Sequence, residues 1–215
     1  MLGNEEVVIS IALLAVAAMY SSVGHGGASG YLAILSLTSF ALMKDDWLKQ
    51  HAWSLNLIVA GLAFYRFRKA GYHIPSLSVP FILGGLPMAF IGGFVEVDDG
   101  IYDSLLSFVL ILAGLRLIIS SERGDAEVFQ WSFMSSVSVG AIIGIISGLV
   151  GIGGGVLLSP LLIILHIGKP KEVAATSALF IWINSASGLV GSTIASGILL
   201  DLSTLFPFSL AVLVG

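Results

Sequence analysis

The stretch LVGIGGGVLLSP, residues 149–160, places four glycines within five positions of an otherwise apolar run. Gly151, Gly153, Gly154 and Gly155 each disfavour a helix by about 1 kcal/mol relative to alanine. A helix entering this stretch is therefore expected to end there, with a new one starting near Val156. The first half of the chain carries the same device in SSVGHGGASGYLAIL, with a new helix expected near Gly30. Gly24-His25-Gly26-Gly27-Ala28 aligns with Gly151-Ile152-Gly153-Gly154-Gly155, 127 positions later.

The surroundings of both stretches define the class of protein. The 215 residues are 57% hydrophobic and 10% charged, with a mean hydropathy of +1.03. A soluble domain carries about 25% charged residues, so this chain lacks the groups to cover a water-facing surface. It reads as an all-α polytopic membrane protein. The absence of cysteine excludes disulfides and thiolate metal sites, and no cofactor or metal is expected. The net charge of −4 and the lack of a basic run point away from nucleic acid. The opening MLGNEEVVISIALLAVAAMY has Glu5 and Glu6 where a signal peptide would be cationic, so it is expected to be a retained first span.

Apolar runs fall at 7–22, 29–43, 47–65, 74–95, 101–121, 131–149, 155–167, 173–193 and 199–215. A full span needs about 20 residues. The second and seventh runs are too short for one, and each directly follows a glycine cluster. The chain therefore reads as a duplication of about five segments, residues 1–127 and 128–215. Pro80-Phe81 recurs as Pro207-Phe208 at the same offset, and HAWSLNLIVAG (51–61) resembles AATSALFIWIN (174–184). The counterpart of residues 89–120 is missing, so the second repeat is expected to be incomplete.

Charge orients the copies. Alternating crossings put Arg66, Arg68, Lys69, Arg116, Arg123, Lys169 and Lys171 on one side, leaving Lys44 and Lys49 on the other. The positive-inside rule then places the N-terminus outside a plasma or inner membrane. Five segments is an odd number, so the copies have inverted topology, and the two glycine loops point toward opposite faces.

Within hydrocarbon, an interrupted helix exposes backbone groups at several kcal/mol each unless protein, water or ligand satisfies them. Glycine lets a ligand approach the main chain, and the first-turn N–H groups of the following helix favour an anion. The two loops are accordingly expected to face each other and hold a small anion. Gly140, Gly144 and Gly148, at i, i+4 spacing, fit close helix packing instead. Candidate site residues in the first copy are Gly24, His25, Gly26, Gly27, Ser29 and Asn56. In the second they are Gly151, Gly153, Gly154, Gly155, Thr176, Ser177 and Asn184. Asn56 and Asn184 are costly to bury without a function, and His25 titrates near neutral pH. Serine and threonine also commonly bond their own helix backbone.

The stretch GLVGIGGGVLLSPLLIILHIGKPKEVAATSAL (148–179), with its weaker first-half copy, resembles the TauE/SafE family of membrane permeases, also called sulfite exporters. The glycine cluster, Pro160 and Ala175-Thr176-Ser177 carry the likeness. The first copy departs from it at Trp53 and Ala33. The resemblance implies a secondary transporter of small anions, often sulfur-containing, and carries Gly151, Gly153, Gly154, Gly155, Thr176 and Ser177 over as site residues. It implies no enzymatic activity.

Two alternatives belong to other classes. GASG (27–30) matches the motif of rhomboid-type membrane serine hydrolases, but such an enzyme needs a histidine near Ser29 from another span. His51, His73 and His166 lie near run ends. A non-transporting assembly subunit is the other alternative. A homodimer is compatible with all three readings.

Overall fold

The computed structural model describes residues 4–21, 24, 26–118 and 131–215, and among these it is helical throughout, without strands. The helices are α1 (Asn4–Ser21), α2 (Ala28–Ser36), α3 (Asp45–Lys69), α4 (Pro75–Phe94), α5 (Asp99–Ile118), α6 (Phe133–Val150), α7 (Gly155–Ile164), α8 (Pro170–Ser196) and α9 (Leu202–Val214). Each corresponds to one apolar run. The run at 29–43 is not one helix, because α2 stops at Ser36 and a 3-10 turn covers Ser39–Leu42. Helices α4, α6 and α8 are long and apolar enough to cross a membrane by length and composition. The outer surface carries Ile11, Leu83, Phe108, Ile142, Ile194 and Phe206, all exposed. Polar Gln50, Asn56, Thr176, Ser177, Asn184 and Ser192 are buried. Apolar outside and polar within is the arrangement of a protein solvated by lipid.

Local chemistry sets the helix ends. Pro75 and Pro170 open α4 and α8, where a missing N–H costs nothing. Glu172 accepts the Lys169 N–H at 3.0 Å, closing the start of α8. Helix α3 begins with Asp45 and Asp46 and ends with Arg66, Arg68 and Lys69, each group opposite to the local end of the helix dipole. The starts of α2 and α7 lie 127 positions apart, as do those of α4 and α9. Helices α3 and α8, the two longest among those described, occupy corresponding places in the two halves.

Helix α4 packs against α6 on one side and α8 on the other, and α8 packs in turn against α3. Glycine makes the first two contacts possible. A side chain on Gly140, Gly144 or Gly148 of α6 would collide with the backbone of Phe81, Gly85 or Ala89 on α4. On the other side of α4, Gly93 meets the backbone of Gly188 in α8. Spacing of four residues on both helices brings the backbones together over two turns.

The segment between α8 and α9 is tied to α3. Gln50 Nε2 donates to the Gly197 carbonyl (2.9 Å) and Ser192 Oγ (3.2 Å), while Gln50 Oε1 accepts the Leu199 N–H at 2.9 Å. His51 Nε2 accepts the Asp201 N–H at 3.1 Å, and its Nδ1 lies 2.8 Å from the Trp47 carbonyl. A carbonyl only accepts and an amide only donates, so His51 is the neutral tautomer with its proton on Nδ1.

Two outcomes test this architecture. Gly144→Leu should destabilise the purified protein by at least the ~1–3 kcal/mol of an overpacked core, seen as a lower melting temperature in detergent. Ile142→Leu on the outer face should stay within ~0.5 kcal/mol of wild type. At α9, the Ser203 and Thr204 hydroxyls and the Ser203 N–H hold the Asp201 carboxyl below its ordinary pKa. A carboxyl depressed in the folded state stabilises fully above its unfolded pKa and loses that contribution as pH falls through the folded one. Asp201→Ala should therefore cost about 0.5–1 kcal/mol at neutral pH, at the low end for an exposed cap, and the gap should close below pH ~4.

Candidate functional site

The two breaks adopt one backbone solution. Gly24 and Gly27 have φ of 75° and 94°, and Gly151, Gly153 and Gly154 have 92°, 72° and 83°. These are left-handed values that cost other residues roughly 1–2 kcal/mol each. Helix α2 starts after Gly27 and α7 after Gly154, and neither start receives a side-chain cap. The new helices begin at Ala28 and Gly155, slightly ahead of the Gly30 and Val156 expected from sequence.

The breaks meet halfway along the two longest helices. A methyl group on Gly26 would strike Asn56 Oδ1 and come within 2.9 Å of Ile181 Cγ2. One on Gly153 would lie 2.5 Å from Asn56 Nδ2, 2.7 Å from Ser185 Oγ and 3.0 Å from the same Ile181 carbon. Asn56 is the twelfth of 25 residues in α3, and Ile181 the twelfth of 27 in α8. The Asn56 amide, fully buried, lies between the two loops and donates to Ser185 Oγ at 2.8 Å. The outer glycines diverge toward opposite ends: Gly24 lies against the Ala174 backbone near the start of α8, and Gly151 against Lys49 near the start of α3.

Polar atoms around this junction lack partners. Asn56 Oδ1, Trp53 Nε1, Ser147 Oγ, Thr176 Oγ1 and both polar atoms of the Asn184 side chain are buried without hydrogen bonds. Each such group costs about 1–3 kcal/mol in a folded protein, and several of them are donors. A methyl group on Gly154 would lie 2.8 Å from the Phe180 ring and 3.4 Å from Ser147 Cβ. The Asn184 amide is within 3.0 Å of the corresponding position on Gly85.

The candidates are thus placed unequally. Gly26, Asn56 and Gly153 form one junction, with Gly155 against Ile181 beside it. Gly154 and Asn184 sit on either side of Phe180. Thr176 is buried in α8 without a partner, whereas Ser177 accepts a 2.7 Å hydrogen bond from Ser159 of α7. Gly27 lies against the Tyr31 ring, and Ser29 is buried in the first turn of α2. His25 lies outside the described residues, as does the Arg116 side chain. His51 has both ring nitrogens engaged, by the Trp47 carbonyl and the Asp201 N–H, and His73 bonds Ser78 at 3.0 Å.

Ser185, Ser147 and Lys49 were not among the candidates. Ser147 stands four residues before Gly151, a spacing that could have flagged it. Lys49 is only 2% exposed, although it stands near the start of an apolar run.

A family model described as "Sulfite exporter TauE/SafE" matches residues 8–215. "Probable membrane transporter protein y4hK" of Sinorhizobium fredii is 31% identical over 195 residues, covering 89% of this chain and 78% of its own length. "Probable membrane transporter protein YunE" of Bacillus subtilis is 28% identical, covering 81% and 73%. "Sulfite exporter TauE/SafE family protein 3" of Arabidopsis thaliana is 34% identical over 79 residues, covering 37% and 16%. No solved structure matches the chain significantly. Paired glycine breaks within an apolar helical body, together with a family match over nearly the whole length, identify the chain as a member of the TauE/SafE family of membrane transporters.

Proposed function

We propose that this protein carries a small, sulfur-bearing anion, such as sulfite or a sulfonate, by alternating access around its two glycine breaks. The observation behind this proposal is the convergence of Gly26 and Gly153 on the Asn56 amide, halfway along α3 and α8. Two helix starts without side-chain caps, together with unpartnered amide, hydroxyl and indole donors, suit an oxyanion better than a cation. The relatives' printed names describe membrane transporters and a sulfite exporter family protein, which supports the substrate class.

The described glycines of both loops are buried, so the proposed site is closed to both sides in this conformation. The helix starts that recur at 127 positions fit two inverted repeats, each contributing one broken helix to a shared site. Access would alternate as one half rocks against the other. Gly24 and Gly151, at opposite ends of the junction, would open in turn. The charge distribution supports an N-terminus on the outside.

Reconstituted vesicles test the site. Gly153→Leu adds a side chain where Asn56 and Ser185 already stand and should cut sulfite flux by at least ~10-fold, the effect of about 1.4 kcal/mol. Gly71→Ala is the control: Gly71 is also left-handed, with φ of 81°, but a side chain there meets nothing within 4 Å. Its flux should match wild type. Equal flux in the two variants would rule out the glycine junction as the carrier site.

A further inference from the structure

Lys49 stands apart from the other cations whose side chains are described, all of which are exposed. Its side chain is 2% exposed, and its Nζ lies 2.6 Å from Asp46 Oδ1 and 5.6 Å from the centre of the Tyr102 ring. Its stem rests on the second glycine break: a methyl group on Gly151 would lie 2.7 Å from Lys49 Cγ and 3.1 Å from Cβ. Any side chain at that glycine would displace the lysine.

Lys49 also begins a polar ladder. Lys49, Trp53 and Asn56 are spaced i, i+4, i+7, so they share one face of α3 across two turns, roughly 10 Å. All three are buried to 2% exposure or less. The Trp53 indole N–H and Asn56 Oδ1 have no partner. The ladder's lower end is the junction of the glycine breaks. At its upper end, Lys49 and Asp46 line a cavity of about 850 Å³ together with Lys44, Asp45, Glu96 and Asp103. This vestibule carries more carboxylates than ammonium groups.

We propose that Lys49 is the counter-charge of the transported anion, and that Asp46 occupies it while the anion is absent. This rests on the anion-carrier reading above. A buried ammonium costs several kcal/mol unless it is paired. Exchanging one carboxylate for another anion keeps the pair neutral, so the step adds no uncompensated charge to the interior. Asp46 can leave because its side chain, 15% exposed, faces the cavity and also accepts from the Ser196 hydroxyl. Asp46 is thus an internal competitor, which sets the affinity, and Lys49 is a specificity residue for negative charge.

The consequence runs opposite to that of a structural ion pair. Sulfite binding to the full chain in detergent, measured by calorimetry, should tighten at least ~5-fold in Asp46→Asn, because the competitor is gone. Lys49→Met should weaken it at least ~10-fold, and Lys49→Arg should restore most of that loss. Asp46→Ser, whose smaller neutral side chain can still accept from the ammonium, should tighten binding in the same direction if the asparagine variant does not fold. Weaker binding in both Asp46 variants, in step with Lys49→Met, would mean a merely structural pair and overturn the proposal. Wild-type binding that Gly153→Leu abolishes and neither Asp46 variant tightens would leave the carrier reading intact and refute this one. Wild-type protein that binds none of sulfite, thiosulfate and sulfate would refute both.

Discussion

A broken helix inside a bilayer leaves main-chain amides without partners, and lipid cannot supply any. This molecule breaks two helices and covers both breaks with its two long helices. Helix α8 lies over the first break through Ala174 and Ile181 and over the second through Phe180, Ile181 and Ser185, while α3 reaches the first through Asn56 and the second through Lys49 and Asn56. The hydrogen bond from Asn56 to Ser185 joins the two covering helices between the breaks. Without that crossing, Gly26 and Gly153 would lose the Asn56 and Ile181 neighbours that cover them.

Glycine serves two physical ends in the same chain. In the breaks it supplies left-handed backbone and leaves room for Asn56 and Lys49. In α4, α6 and α8 it removes side chains so that backbones can touch, as between Gly144 and Gly85 or Gly93 and Gly188. The second use builds a closely packed body from α4 and its neighbours. By contrast, α7 meets α8 through side chains such as Ile181 against Gly155 and the Ser159–Ser177 hydrogen bond. Backbone contacts resist sliding more than side-chain contacts do, because a rotamer can change and a carbonyl cannot move aside.

Much of this was legible in the residue string. Helix breaks, the short α2 and α7, the packing role of Gly140, Gly144 and Gly148, and the recurrence at 127 positions all follow from glycine placement and hydropathy. The burial of Lys49 was not legible there. Near a run end, a lysine ordinarily snorkels to the interface, but here Asp46 and the Tyr102 ring hold it inside. Ser177 is a candidate site residue by resemblance, and only the structure shows that its hydroxyl is engaged by Ser159. A serine's side-chain partner depends on which helix lies beside it, and spacing along one helix does not supply that.

The sequence by itself determined the class of protein, the places where helices stop and the recurrence of helix starts at 127 positions. These depend on local properties: transfer of apolar side chains to lipid, the backbone freedom of glycine, and the charge of the flanking segments. Only the tertiary structure decided that Asn56 stands between both breaks, that it bonds a serine 129 residues away, and that a lysine is buried beside Gly151. Those facts arise where α3 crosses α8, and a contact between distant segments is set by the packing of the whole bundle.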